Sequence, residues 1–201
     1  MGDLKPTTSV ERLTGFRRGD LDDLCDATEA AIGAGGGFGW VTVPSRDLLE
    51  AYWKGVLMVP ERQLFVGRLD GVIAASAQLV RPSRHNEAQH FTAQLQTSFV
   101  APWARGHGLA KAITLAVEEA ALLSGVALLN LDIRDTLTPA IALYEALGYI
   151  RWAEHPFYAL IDGRPVRGLY YYKVLDAGLE GLKLDQSGHR QSSGRPMERL
   201  S

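Results

Sequence analysis

The spacing of hydrophobic positions changes along the chain between a helical period and a strand period. Apolar residues recur at helical spacing in stretches that begin near residues 20, 45, 109 and 138, which predicts amphipathic helices. Apolar runs typical of strands occupy residues 14–18, 63–68, 72–80, 91–100, 126–134, 149–160 and 169–175. This mixture predicts an α+β fold (α/β in some schemes), with one central sheet and helices on both faces.

Local signals mark where several of these elements begin and end. Asp70-Gly71 and Asp162-Gly163 lie between neighbouring strands and predict tight turns. Asp20 and Ser45 are expected to cap the first two helices through their side-chain oxygens. Thr138 is expected to cap the helix in which Pro139 takes the first position. These signals place short connections between most of the predicted elements.

The predicted elements fill one domain, at residues 12–175, between two polar ends. We expect residues 1–11 to form a loose N-terminal segment. Residues 176–201 are polar and poor in aromatic side chains, so we expect a largely disordered tail. Residues 33–39 contain five glycines. They form either a flexible loop or a loop that approaches a ligand closely, with Phe38 and Trp40 as its aromatic wall.

Composition excludes several classes of protein. A net charge of -2 gives no field that would recruit nucleic acid or an anionic membrane. Cys25 is the only cysteine, so the chain has no intrachain disulfide and no thiolate metal cluster. No signal peptide and no apolar run long enough to cross a membrane is visible. We therefore expect a cytoplasmic protein without a metal, since no His, Cys, Asp and Glu cluster has metal-ligand spacing.

The segment from Val100 to Lys111 carries the clearest chemical signal. It follows a strand, contains Gly106 and Gly108, and leads directly into the helix that starts at Leu109. The first N–H groups of a helix lack partners, and the helix dipole adds partial positive charge there. Glycines also let the backbone approach a phosphate without a clash from Cβ. The segment predicts a site for a phosphate-bearing cofactor.

Two motifs together resemble the signatures of the GNAT N-acetyltransferase superfamily. Arg105-Gly106-His107-Gly108-Leu109-Ala110 is similar to its acetyl-CoA signature, Arg/Gln-x-x-Gly-x-Gly/Ala. Leu143-Tyr144-Glu145-Ala146-Leu147-Gly148-Tyr149 resembles its second signature. The resemblance implies a mixed, mostly antiparallel sheet of about six to seven strands that splays between the fourth and fifth strands. Leu131-Asp132-Ile133-Arg134 and Tyr170-Tyr171-Tyr172-Lys173 resemble, more narrowly, the tabtoxin-resistance-like branch.

The resemblance implies acetyl-CoA as the acyl donor, bound along the first motif and the strand before it. Backbone groups of Ser98, Phe99 and Val100 are expected to pair with the pantetheine arm as an added strand would. The pyrophosphate is expected to lie on the loop and on the first turn of the helix that follows it. The residues implied in that second contact are Arg105, Gly106, His107, Gly108, Leu109, Ala110 and Lys111.

Tyr144 resembles the family's general acid. A phenol has an unperturbed pKa of about 10, so it keeps its proton at neutral pH and can donate it to the leaving thiolate. A backbone N–H near Phe99 or Val100 is expected to stabilise the carbonyl oxygen. The implied reaction is direct attack of a primary amine on the thioester in a ternary complex.

The general base departs from the family pattern. Many members carry a glutamate on the strand before the first motif, where this chain has Gln94, Gln96 and Thr97. Deprotonation through water, without a dedicated side chain, is one alternative. The remaining candidates are His155, Glu154, His90 and Asp132.

Some of these candidates also have a purely structural interpretation. Asp132 and Arg134 share one face of a strand, and we favour an ion pair between them. For His155 we also favour the structural interpretation, an ordinary strand residue. The candidates for contact with the acceptor are Phe38, Trp40, Gln96, Asp132 and His155.

Three functions remain open from the sequence. The first is acetylation of a small-molecule amine, the second is acetylation of a protein or peptide, and the third is coenzyme A binding without turnover. A closed cavity between residues 33–39 and 154–158 favours the first, and an open groove favours the second. The resemblance is compatible with a homodimer.

Overall fold

A computed structural model describes residues 6–36 and 39–180 of the chain. Its strands are β1 Thr8–Leu13, β2 Arg62–Leu69, β3 Val72–Val80, β4 Thr92–Val100, β5 Leu128–Arg134, β6 Ile150–Ile161 and β7 Arg164–Val174. Its α-helices are α1 Asp20–Gly33, α2 Arg46–Met58, α3 Leu109–Leu123, α4 Thr138–Ala146 and the short α5 Ala177–Glu180. No helix of the described residues has the length and apolar content that a membrane span requires.

The strands form one seven-stranded sheet in the order β1-β2-β3-β4-β5-β7-β6. All neighbours are antiparallel except β4 and β5, which run parallel. These two pair only where Thr92, Ala93 and Gln94 face Leu128, Leu129 and Asn130. Beyond Gln94 the two strands separate. The predicted mixed, mostly antiparallel sheet with a splay between its fourth and fifth strands is therefore confirmed.

Each face of the sheet is covered by helices that pack on a separate hydrophobic core. Ile113 and Val117 of α3 lie in the core on one face. Leu49 and Trp53 of α2, together with α1, fill the other. Burying one such large side chain stabilises the folded state by about 1.5–3 kcal/mol. Helices on both faces, as expected from the periodicity, are thus confirmed.

The first strand lies earlier than the sequence predicts. Residues 14–18 do not form a strand; β1 occupies Thr8–Leu13 and pairs with β2 from Thr8 opposite Leu69 to Leu13 opposite Leu64. Ordered structure therefore begins inside the segment 1–11 that was expected to be loose. The chain bends after Leu13 because the Asp20 carboxylate accepts the backbone N–H of Arg17 at 3.0 Å, which turns it into α1.

Helix starts agree with the sequence in one case of three. The Ser45 hydroxyl accepts from the Leu48 N–H at 3.4 Å, so this predicted cap is confirmed. Asp20 is instead the first residue of α1, and Gly19, with a φ of +90°, holds the cap position. Leu137 precedes α4 without a side-chain cap, so Thr138 is helical. The Asp20 carboxylate instead accepts from the Arg17 N–H just before the helix and from Arg68 of β2 at 2.8 Å.

The two predicted turns are present, and one of them moves a strand boundary. Asp70-Gly71 and Asp162-Gly163 all have positive φ, as a two-residue turn of the mirror-image type requires. The second turn joins Ile161 directly to Arg164. β7 therefore begins at Arg164 rather than at residue 169, although residues 164–168 lack a hydrophobic run. Of the tail predicted at 176–201, residues 181–201 lie outside the described part of the chain, and 177–180 form α5.

We expect Leu129→Ala to lower the free energy of unfolding by about 2–5 kcal/mol, because the side chain is fully buried where β4 and β5 still pair. Leu123→Ala is the matched control: that side chain is 84% exposed at the end of α3, and its loss should change stability by about 0.5 kcal/mol or less. Urea unfolding of both variants measures the difference. Equal stabilities would contradict this account of the core.

Candidate functional site

The separation of β4 and β5 opens a cavity of about 510 Å³ in the middle of the sheet. Its walls come from β4, β5, α4, β6 and the connection between α1 and α2. The lining residues are Gly36, Gly39, Val41, Leu95, Gln96, Thr97, Ser98, Leu131, Asp132, Ile133, Arg134, Leu137, Ala140, Tyr144, Tyr158, Ala159, Leu160 and Ile161. Beyond Gln94, the β5-facing side of β4 pairs with no strand of the described residues, so it is open to an extended ligand.

The glycine-containing loop leads from β4 into α3, as the sequence predicts. Gly106 and Gly108 have φ values of +83° and +78°, and Gly108 is the cap residue of α3 without any side-chain cap. Within the described residues, no acceptor receives the backbone N–H groups from Gly106 to Lys111. Unpaired N–H groups at the positive end of a helix dipole form a site for an anion.

The charged side chains of the loop surround this anion site. Arg105 and Lys111 are exposed at its rim. The ring Nδ1 of His107 lies 3.2 Å from the Ala104 carbonyl oxygen, so the imidazole packs back against the 3-10 turn Pro102–Ala104. Two exposed cationic residues thus flank the row of unpaired N–H groups along the chain, an arrangement suited to a phosphate group.

Tyr144 lies where the cavity meets the splayed strands. It is on α4, only 5% exposed, and its ring packs edge-on against Tyr149 at 5.4 Å between centroids. Burial raises the pKa of Tyr144, while a hydrogen bond with the Ser98 side chain lowers it by less. The hydroxyl therefore keeps its proton at neutral pH. The structure brings Tyr144 and Ser98 together from segments that are far apart in sequence.

A buried charged group that the sequence analysis missed lies behind Tyr144. Glu118 of α3 is 7% exposed and accepts from Lys173 Nζ at 2.6 Å. Lys173 also lies 5.5 Å above the ring of Tyr149. Burial, followed by the charge of Glu118, raises the pKa of Tyr149. The available signal was Glu118 itself, one turn after Thr114 on the buried face of α3.

Asp132 has a different partner from the one expected. The Tyr158 hydroxyl donates to Asp132 Oδ2, so the predicted ion pair with Arg134 is wrong. Burial and the Asp132 carboxylate raise the pKa of Tyr158. Gly168 makes this possible, because a Cβ there would overlap the Tyr158 ring. Tyr158 is a cavity residue that the sequence analysis missed, since it lies on β6 among ordinary strand residues.

The other candidates for base or acceptor contact divide between the cavity and the rest of the surface. Gln96 and Asp132 both line the cavity. His155 is exposed on β6, where its Nδ1 accepts from the Phe157 N–H at 3.1 Å, and it is not a lining residue. His90 is bonded to the Glu87 carbonyl oxygen, away from the cavity. Among the base candidates, Asp132 alone borders the cavity.

The aromatic wall expected at residues 33–40 is only partly described. Phe38 lies outside the described residues. Trp40 packs edge-on against Tyr52 at 5.0 Å and belongs with the α1 and α2 core rather than with the cavity lining. Glycines from this connection do line the cavity, at Gly36 and Gly39. Among the described residues, no group of three or more His, Cys, Asp and Glu side chains could hold a metal ion.

A sequence model of the acetyltransferase (GNAT) family matches residues 29–149. The chain is also 66% identical, over 128 residues, to an uncharacterized N-acetyltransferase from the hisH-hisA intergenic region of Azospirillum brasilense. That match covers 64% of this chain and 76% of the other protein.

Solved structures share the fold at low sequence identity. A Salmonella typhimurium protein assigned as an acetyltransferase, solved with its cofactor acetyl-CoA, has a TM-score of 0.68 and 17% identity over 84% of this chain and 94% of its own. The ribosomal-protein-alanine N-acetyltransferase of Brucella melitensis has a TM-score of 0.69 and 19% identity over 83% and 99%. At such identities the likeness establishes the fold alone.

We expect the Tyr144 phenol to remain protonated above pH of about 10, the ordinary pKa of a tyrosine, because burial raises its pKa. The neutral form is the favoured one, so ionisation moves to higher pH. The difference between ultraviolet titrations of the wild type and of Tyr144→Phe reports the ionisation of the Tyr144 phenol alone. A tyrosinate signal assigned to Tyr144 with a midpoint well below 10 would contradict the expectation.

Proposed function

We propose a function that proceeds from one premise: the chain belongs to the acetyltransferase (GNAT) family. It is accordingly an acetyl-CoA-dependent N-acetyltransferase, as the two sequence motifs implied. Within that activity, the protein transfers the acetyl group to the primary amine of a small molecule, by direct attack in a ternary complex. Tyr144 acts as the general acid. The likeness to the tabtoxin-resistance branch, the homodimer and the cytoplasmic location stay predictions.

The donor is proposed to lie along the open side of β4. The unpaired N–H groups from Gly106 to Lys111 would bind the pyrophosphate, with Arg105 adding charge. The pantetheine arm would then pair with the backbone of Ser98, Phe99 and Val100, where β5 has moved away. With the pyrophosphate at the loop and the pantetheine arm along β4, the thioester end of the donor would reach Tyr144.

The position of Tyr144 is the observation that carries the proposal. Tyr144 is only 5% exposed and lines the cavity, and Ser98 lies close enough to affect the pKa of its hydroxyl. A phenol held in its neutral form can donate a proton to the thiolate as the carbon–sulfur bond breaks. The amine would approach from the Asp132 and Gln96 side of the same cavity. Holding amine and thioester together in this way supplies much of the acceleration.

The shape of the cavity supports a small acceptor over a peptide. Gly36, Gly39 and Val41 bound it on one side, and residues 158–161 of β6 bound it on the other. Its volume of about 510 Å³ is typical of sites for small molecules. A peptide would instead need a groove open at both ends.

We expect Tyr144→Phe to lower kcat by about 100-fold or more, with little change in the Kd of acetyl-CoA, because only the proton donor is lost. Tyr172→Phe, which removes a hydroxyl from β7 outside the cavity lining, is the matched control and should keep the wild-type rate. The rate of free thiol release from acetyl-CoA with a panel of amines gives kcat for both variants. An unchanged rate in Tyr144→Phe would remove Tyr144 from the mechanism.

Gly108→Ala should weaken coenzyme A binding by roughly tenfold. A residue with a Cβ adopts positive φ at a cost of about 1–2 kcal/mol, so the backbone relaxes and displaces the N–H groups of the loop. Gly125→Ala is the matched control, since Gly125 has a φ of +76° at the opposite end of α3. Calorimetric titration with coenzyme A gives both Kd values. Equal weakening in the two variants would attribute the effect to general strain rather than to the loop.

A further inference from the structure

A line of hydrogen-bonded side chains crosses the sheet and ends at the cavity. Arg62 donates to Gln78 Oε1 at 2.7 Å, and Gln78 Nε2 donates to the Tyr52 hydroxyl at 3.0 Å. That hydroxyl lies 3.3 Å from Thr97 Oγ1. Gln78 is fully buried. We call these four residues the Arg62–Thr97 chain, and the proposed acetyl transfer assigns them no role.

The chemistry of the partners sets the direction of these bonds. Arg62 has only donors, so the amide oxygen of Gln78 faces it and the amide nitrogen faces Tyr52. Since that nitrogen can only donate, the Tyr52 oxygen accepts its hydrogen bond. Tyr52 and Thr97 have two hydroxyl protons between them, and the bond that joins them uses one. Within the described residues, the other proton has no acceptor.

Either hydroxyl can donate in the bond between them, and we assign the unused proton to Thr97. Thr97 lines the cavity and Tyr52 does not, so both hydroxyls are satisfied when Tyr52 donates to Thr97 and Thr97 donates to a bound molecule. Thr97 has a φ of +50° at an irregularity in the pairing of β3 and β4. A non-glycine residue rarely adopts that conformation without a packing or functional reason.

Opposite charges lie on the facing wall of the same cavity. Arg134 and Asp132 share one face of β5, about 7 Å apart at the usual rise of a strand. Asp132 accepts from Tyr158 through one oxygen only. Among residues 6–36 and 39–180, the Arg134 guanidinium forms no ion pair or hydrogen bond with a side chain, and its charge acts against the rise in the pKa of Tyr158. The cavity therefore offers a free cation, a hydroxyl donor and a carboxylate to a single ligand.

We propose that the acceptor is a primary amine that also carries a carboxylate, as an α-amino acid does. Arg134 and the Thr97 hydroxyl bind the carboxylate, and Asp132 attracts the ammonium group as the acceptor enters. A guanidinium matches a carboxylate with parallel donors, and a hydroxyl can add a third. This inference rests on the proposed function, because it names the acceptor class of the same cavity.

The first test compares amines that differ only in the carboxylate. Thiol release is measured with amino acids, with their carboxamides and with the corresponding decarboxylated amines. We expect kcat/KM to be roughly a hundredfold higher for the free acid, because a site built for hydrogen bonds rejects analogues that lack the matching group. Equal or faster turnover of the decarboxylated amines, or turnover of peptides alone, would overturn the inference.

Variants of Thr97 and Arg134 test whether these two residues cause the preference for amines that carry a carboxylate. Thr97→Ala should lower kcat/KM for the amino acid by roughly tenfold to a hundredfold and leave the decarboxylated amine unaffected, while Thr97→Ser restores the wild-type value. Arg134→Gln should act in the same selective way. Thr92→Ala is the control, since Thr92 on the same strand donates to the Gln89 carbonyl oxygen instead. An equal loss for both kinds of amine would make Thr97 structural and contradict its assigned role.

A binding measurement separates this inference from the proposed reaction. Equilibrium dialysis of labelled amino acids against the enzyme with coenzyme A requires no turnover. Binding that Arg134→Gln abolishes, without thiol release in any assay, would uphold the carboxylate site and contradict the acetyl transfer. Thiol release with decarboxylated amines, and no amino-acid binding, would uphold the transfer and overturn the carboxylate site.

Discussion

The loss of pairing between β4 and β5 is the constraint on which the rest of the structure depends. The strands pair over three residue pairs, from Thr92 with Leu128 to Gln94 with Asn130, and then separate. Backbone polar groups left unpaired in a sheet need a partner, so the open side of β4 can accept an extended ligand as an added strand. The cavity, the buried Tyr144 and the approach from the glycine loop all lie along this gap.

Polar networks on both sides of the gap hold its walls in place. Behind Tyr144, the bond from Lys173 to Glu118 secures the packing of Tyr149. Buried ion pairs are worth little in net stability, yet breaking one by removing a single partner is costly. Their consequence here is geometric, because the side chains that meet the ligands have few alternative positions.

The sequence predicted what is local and missed what is not. The glycine loop and the helix after it are contiguous, so the local sequence was enough to predict the loop and the start of α3 at Leu109. Tyr144 came from a motif of equally short range. Tyr158, which meets Asp132 across 26 positions, and Gln78, which meets Tyr52 across 26, carry no local signal. The Asp132–Arg134 ion pair was predicted because both residues lie on one face of a strand. In the structure Asp132 instead accepts a hydrogen bond from Tyr158 of β6.

Coenzyme A is proposed to lie in the gap between β4 and β5 with its sulfur at Tyr144. A crystal structure of the protein with coenzyme A tests it most directly. The account predicts the pyrophosphate on the N–H groups after Gly106, the pantetheine arm beside Ser98 and Val100, and the sulfur within hydrogen-bonding distance of the Tyr144 hydroxyl. Coenzyme A bound elsewhere, or a sulfur directed away from Tyr144, would contradict it.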